Sequence, residues 1–219
     1  MAIRRDPQSN SPHPYAVLSD GSALFFAARQ QFPERNLNYR ALDRIIRTHT
    51  QGHSSDQESE ARGTPSILFS SIEPANEKQQ KFVEFIEQQL RWSVHKVSPH
   101  DATVCNPLLT DGVFRHIRFD AWIAYAMGRL AGKEPSPHIA IVTDSWPLAG
   151  PVQECASRGT RVTVCFFGGV IDTRWHRVVR EREAEGHVDF LDLDDYTGDL
   201  FDRAKPARGK EDYRLNLLD

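Results

Sequence analysis

Three aspartates set the chemistry open to this sequence: Asp20, Asp120 and Asp144. Asp20 follows the apolar run Tyr15-Ala-Val-Leu18-Ser and precedes Gly21. The run has no polar alternation, as in a strand buried on both faces, so Asp20 stands where that strand should stop. Asp144 closes a second such run, His138-Ile-Ala-Ile-Val-Thr143. Asp120 lies beside Phe119, at the head of an apolar stripe (Phe119, Ile123, Ala126, Met127, Leu130) that predicts a helix over about 116–131. In an open parallel α/β sheet, ligands bind outside the carboxyl ends of the strands. Carboxylates gathered there repel one another unless a cation neutralises them, and Mg²⁺ or Mn²⁺ held by Asp residues and waters is the usual remedy. Such an ion can activate a water and polarise a phosphodiester. The ordinary alternative is that each Asp caps or opens a helix. Spacing alone leaves both open.

The elements that must position these residues alternate along the chain. Residues 1–13 are polar and read as a loose arm. After the first strand, a short helix is expected over 23–30, then a helical stripe of Leu42, Ile45 and Ile46. Residues 49–65 are almost wholly polar and predict a mobile loop. His49 and His53 are spaced for one helix face, but Gly52 between them argues against a zinc site there. Strands are expected over 66–71, 92–97, 138–143, 161–167 and 187–191. Helices are expected over 76–91, with Phe82, Phe85, Ile86 and Leu90 inward, over 146–158 before Gly159, and over 172–183. Strand–helix alternation predicts one domain over 14–193, a three-layer α/β/α sandwich around a mostly parallel sheet of about five strands. Residues 194–219 read as a tail. The proposed site requires the strands ending at Asp20 and Asp144 to be neighbours.

Composition narrows the function classes. With 27 basic and 30 acidic residues the net charge is −3, so only a local patch could favour nucleic acid. Arg115 and Arg118 precede Asp120, and Arg174 and Arg177 follow the Gly168-Gly169 turn. These could meet phosphates without reading sequence; solvated helix ends are the plain alternative. Trp146 follows Asp144 and could stack a base or plug the pocket. Cys105, Cys155 and Cys165 are odd in number and scattered, which favours a reducing compartment. Met1–Pro7 carries no apolar signal core, and no run approaches the roughly 18 apolar residues of a span. The expectation is a cytoplasmic protein without a membrane segment. A protein partner and a homo-oligomer both stay open.

The order of segments resembles the NYN family of PIN-like ribonucleases over about residues 14–193. The opening strand and D-G-x-N motif correspond to Asp20-Gly21-Ser22-Ala23, and the tyrosine–leucine helix to Tyr39-Arg-Ala-Leu42. A strand and amphipathic helix follow over 67–91, then an Asp-bearing helix at Phe119-Asp120-Ala121. The S-x-D-S-D-[FL] motif corresponds to Thr143-Asp144-Ser145-Trp146-Pro147-Leu148, with its helix ending at Gly159. The resemblance implies a PIN-like fold and Mg²⁺- or Mn²⁺-dependent cleavage of RNA. Asp20, Asp120 and Asp144 would be its catalytic and metal residues, and Ser22, Arg115, Arg118, Trp146 and Arg174 would face the RNA. Two departures bear on activity. The motif's Asn is Ala23, which cannot hydrogen-bond water or phosphate through its side chain. Without a gap, the second motif's acids fall on Ser145 and Pro147; a one-residue slip puts them on Asp144 and Trp146. Either register loses an acid, so a module that binds RNA or a protein without cleavage is the alternative function. A phosphatase with an Asp nucleophile is a weaker third, since Asp20 lacks a second Asp two residues on.

Overall fold

Six short runs become six strands: β1 (Tyr15–Asp20), β2 (Ile67–Ser71), β3 (Ser93–Val97), β4 (His138–Val142), β5 (Val162–Phe166) and β6 (Val188–Asp192). The computed structural model describes residues 14–51, 66–97, 119–183 and 186–201. The strands form one sheet in the order β3-β2-β1-β4-β5-β6, every pair parallel. Burial explains the texture of the runs. β4 and β5 are buried at every position, whereas the edge strands β3 and β6 are mixed. Parallel strands covered on both faces can be continuously apolar, and edge strands need not be.

Seven helices among the described residues complete the fold: α1 (Gly21–Gln31), α2 (Tyr39–Gln51), α3 (Glu77–Gln89), α4 (Asp120–Ala131), α5 (Ala149–Ser157), α6 (Arg174–Glu183) and α7 (Thr197–Leu200). The pleat shows that they cover both faces, because paired residues share a side and successive residues alternate. Arg47 of α2 reaches Tyr15, and His49 reaches Asp189; both strand residues lie in the row set of His138 and Thr163. Phe119, next to α4, packs on Phe69, and His176 of α6 packs on Phe190. Phe69 pairs with Asp20, and Phe190 with Val164, in the alternate row set. The result is α/β/α layering with a fully parallel sheet. No described helix is long and apolar enough to cross a membrane.

Three expectations change. The sheet has six strands rather than about five, because the short last run pairs with β5 over its whole length. The polar stretch does not begin at His49: α2 continues through Gln51, held where Thr50 donates its hydroxyl to Ile46 O at 2.9 Å and His49 meets Asp189. Residues 52–65 lie outside the described residues. Residues 194–201 are no loose tail. A 3₁₀ turn (Leu193–Tyr196) leads into α7, and Leu200 and Phe201 are buried. Phe201 bridges Leu37 in antiparallel fashion and sits 4.3 Å from the Phe32 ring.

Candidate functional site

β1 and β4 are direct neighbours, paired from Tyr15↔His138 to Ser19↔Val142. The strand order reverses between them, since the chain builds outward to β3 on one side and to β6 on the other. A crevice at the carboxyl ends of such a pair is where open α/β sheets bind ligands. Asp20 ends β1 there and is 3% exposed. Asp144 stands two residues past the end of β4, and Asp120 is the first residue of α4.

Local structure explains each placement. Gly21 lets α1 start hard against β2: a Cβ there would lie 3.0 Å from Phe69 O and from Leu68 Cδ1. Asp20 is the N-cap of α1 and its Oδ1 accepts from the Ala23 N–H at 2.9 Å. The capping reading and the site reading of Asp20 therefore hold together. Asp144 is exposed between buried Thr143 and buried Ser145, where the Ser145 N–H donates to Thr143 Oγ1 at 3.1 Å. This turn points Ser145 inward and leaves Asp144 at the surface. Phe119, fully buried, anchors the head of α4 beside Asp120.

The three aspartates are coupled through their charges. Burial pushes the Asp20 carboxyl up to about 7, against the lowering effect of its bonds from Ala23 and Ser22. Asp144 and Asp120 raise it further. A carboxyl buried among like charges favours its neutral form. Among the described residues, no three His, Cys, Asp or Glu side chains are gathered into a group that could hold a metal ion. The three carboxylates offer oxygen donors only. Mg²⁺ is commonly bound through one or two carboxylates, waters and substrate phosphates.

The RNA-facing candidates divide. Ser22 lies in the first turn of α1, half-buried, and its backbone N–H bonds Asp20. Arg115 and Arg118 lie outside the described residues. Trp146 opens a 3₁₀ turn (Trp146–Leu148) and is half-buried, edge-on to the fully buried Trp175 at 5.7 Å. Arg174 lies over Trp146, its Cζ 4.5 Å from the ring centroid. Its guanidinium is also forked onto Asp172, with Nε 2.9 and 3.1 Å from the two carboxylate oxygens. That bond holds the Asp172 carboxyl down at about 2. Arg174 is thus already paired with Asp172, and its side chain stays 54% exposed. Sequence reading missed Asp172 and Trp175. Asp172 sits two residues before Arg174, a spacing that brings side chains together only in a turn geometry, which periodicity does not reveal.

Another polar cluster, also missed, joins the amino ends of β4, β5 and β6. His138 Nε2 lies 2.7 Å from Thr163 Oγ1, and His49 Nε2 lies 3.0 Å from Asp189 Oδ2. Its signals were His138, Thr163 and Asp189 within otherwise apolar runs, and His49 near a helix end. No family model, curated protein or solved structure matches the chain.

Proposed function

We propose that the protein is a metal-dependent ribonuclease of the NYN/PIN-like type, acting on RNA phosphodiesters in the cytoplasm. The observation that supports this reading is buried Asp20 at the end of β1, where the strand order reverses, with the charges of Asp144 and Asp120 acting on it. Mg²⁺ or Mn²⁺ held by these residues and by waters would supply an activated water and positive charge for the phosphodiester. Asp20, whose carboxyl burial pushes up to about 7, would hold the cation in its ionised form. Its bonds from Ala23 and Ser22 fix the carboxylate's orientation at the floor of the crevice. Asp144, exposed, meets the solvent side, and Asp120 closes the α4 side. Ser22, in the first turn of α1, and Arg115 and Arg118, which precede Asp120 in the sequence, would orient the RNA backbone.

A second reading, RNA or protein binding without cleavage, is favoured by Ser145. It occupies an acidic position of the ungapped family motif, is buried, and has a bulky Trp146 next to it. One experiment separates the two. Under the nuclease reading, Mn²⁺ raises the melting temperature and supports cleavage of single-stranded RNA, and Asp20→Asn removes most of both effects. RNA binding with no Mn²⁺ response in melting or cleavage favours the second reading. Neither response nor binding overturns both.

A further inference from the structure

Arg174 presents an arrangement that a phosphate-binding arginine does not need. Its Nε and Nη2 are forked onto Asp172, its backbone N–H donates to Asp172 Oδ1 at 3.0 Å, and the guanidinium covers the Trp146 ring. Trp146 is held edge-on by Trp175, which is fully buried. The Trp146–Arg174 pair is therefore assembled in advance, and the Arg174 side chain remains 54% exposed. We infer that Trp146 and Arg174 form a charge-compensated platform on which one unpaired base of a single-stranded nucleic acid stacks, beside the acidic crevice. This inference rests on the RNA reading above and adds how that site recognises its strand.

Charge decides between base and phosphate. A phosphate approaching Arg174 must displace, or sit beside, the Asp172 carboxylate that already fills the guanidinium's fork. A neutral base meets no such repulsion, and bases stack on aromatic rings and on guanidinium planes alike. Trp146 lies two residues after Asp144, so a base on the platform belongs to a nucleotide close to the phosphate at the acidic crevice. Bases inside a duplex are already stacked on one another and do not offer a free face, so the platform selects single strands.

The test uses the full chain in EDTA, which prevents cleavage, with a fluorescein-labelled oligoribonucleotide as single strand and as duplex. Binding is measured at several salt concentrations for wild type, Trp146→Ala, Arg174→Lys and Arg174→Ala. The wild type is expected to prefer the single strand, and each variant to bind it about tenfold more weakly. The slope of log affinity against log salt is expected to be unchanged, because no phosphate contact is lost. Arg174→Lys is the discriminating variant: it keeps the charge, loses the plane and alters an exposed side chain. It is read alone if Trp146→Ala fails to fold. Wild-type affinity in Arg174→Lys, or a salt slope lowered by about one in Arg174→Ala, overturns the platform and makes Arg174 a phosphate contact. A wild type that binds the single strand while no variant weakens it overturns the platform alone. A wild type that binds neither form overturns the RNA reading on which it rests.

Discussion

At the amino ends of the strands, Asp43 is met by Arg47 at 2.9 Å and by the Trp92 indole N–H at 3.0 Å, and Asp189 by His49 at 3.0 Å. At the carboxyl ends, Asp20 accepts bonds from the backbone of its own turn and faces Asp120 and Asp144. Burial raises both the Asp20 and the Asp43 carboxyl, but Arg47 and Trp92 lower Asp43, whereas Asp144 and Asp120 raise Asp20 further. One edge pairs its buried carboxylate with a cation and a neutral donor, an arrangement that ties α2 to β1 and β3. The other edge gathers like charges around a buried carboxylate, which costs stability unless a ligand relieves it. Carboxylates arranged at an energetic cost mark the place where a fold serves something other than its own stability.

The contrast can be broken by exchanging charge for shape at each edge. Asp20→Asn keeps a side-chain acceptor for the Ala23 N–H but removes the charge. Because burial raises the folded-state value of Asp20 from 3.8 to about 7, its stabilising contribution is full below pH 4 and is lost as pH rises towards 7. At pH 8, without divalent cation, Asp20→Asn is therefore expected to be more stable than wild type by about 3 kcal/mol in urea unfolding. The gap should close as the pH falls to 4. A variant no more stable than wild type at pH 8 would remove the central claim about the crevice.

His138 sharpens the comparison because it titrates in the opposite sense over the same window. Burial lowers its folded-state value from 6.5 to about 4; Asp189 opposes that shift, while Arg161 and His49 add to it. The unfolded chain takes up a proton that the folded chain refuses, so stability falls as the pH drops from 6.5 to 4. His138→Gln should flatten that acid limb, recovering about 2 kcal/mol at pH 4 relative to its own deficit at pH 7. In wild type the two slopes offset one another. Asp20→Asn should expose the His138 slope, and His138→Gln the Asp20 slope. Unchanged pH profiles in both variants would show that neither group titrates as its surroundings imply.

The smallest effect is expected at the paired edge. Asp43→Asn retains an acceptor for Trp92 and loses the ion pair with Arg47, whose side chain is half in solvent. A loss of about 1 kcal/mol is expected, independent of Mn²⁺. A larger loss in the presence of Mn²⁺ would mean that the two edges communicate through the sheet.

Much of this was legible in the residues. The apolar runs at 15–19 and 138–143 announced buried strands, and an Asp at the end of each placed both at the carboxyl edge. That β1 and β4 are neighbours follows from the βαβ logic of a sheet built outward from its first strand. The parts that were not legible depend on contacts between distant segments. His49 looked like the start of a polar loop because its partner, Asp189, lies 140 residues away. Phe201 looked like an isolated apolar residue in a charged tail because its neighbours Phe32, Leu37 and Phe167 come from elsewhere in the chain. Arg174 looked like a free cation because the turn that folds Asp172 onto it carries no periodic signal.

The Phe201 contact also orders events in time. The junction between α1 and α2, just beyond the crevice helix, is held by the Asn38 N–H on Leu200 O at 2.7 Å and by Phe32 against Phe201. During synthesis from the N-terminus, β1 and Asp20 emerge early, but Leu200 and Phe201, which pin the far end of α1, leave the ribosome about 180 residues after Asp20. A partly made chain can hold the aspartates and still lack the clasp that fixes the helix Asp20 caps. The clasp on the helix that Asp20 caps is thereby completed only after the last strand is in place.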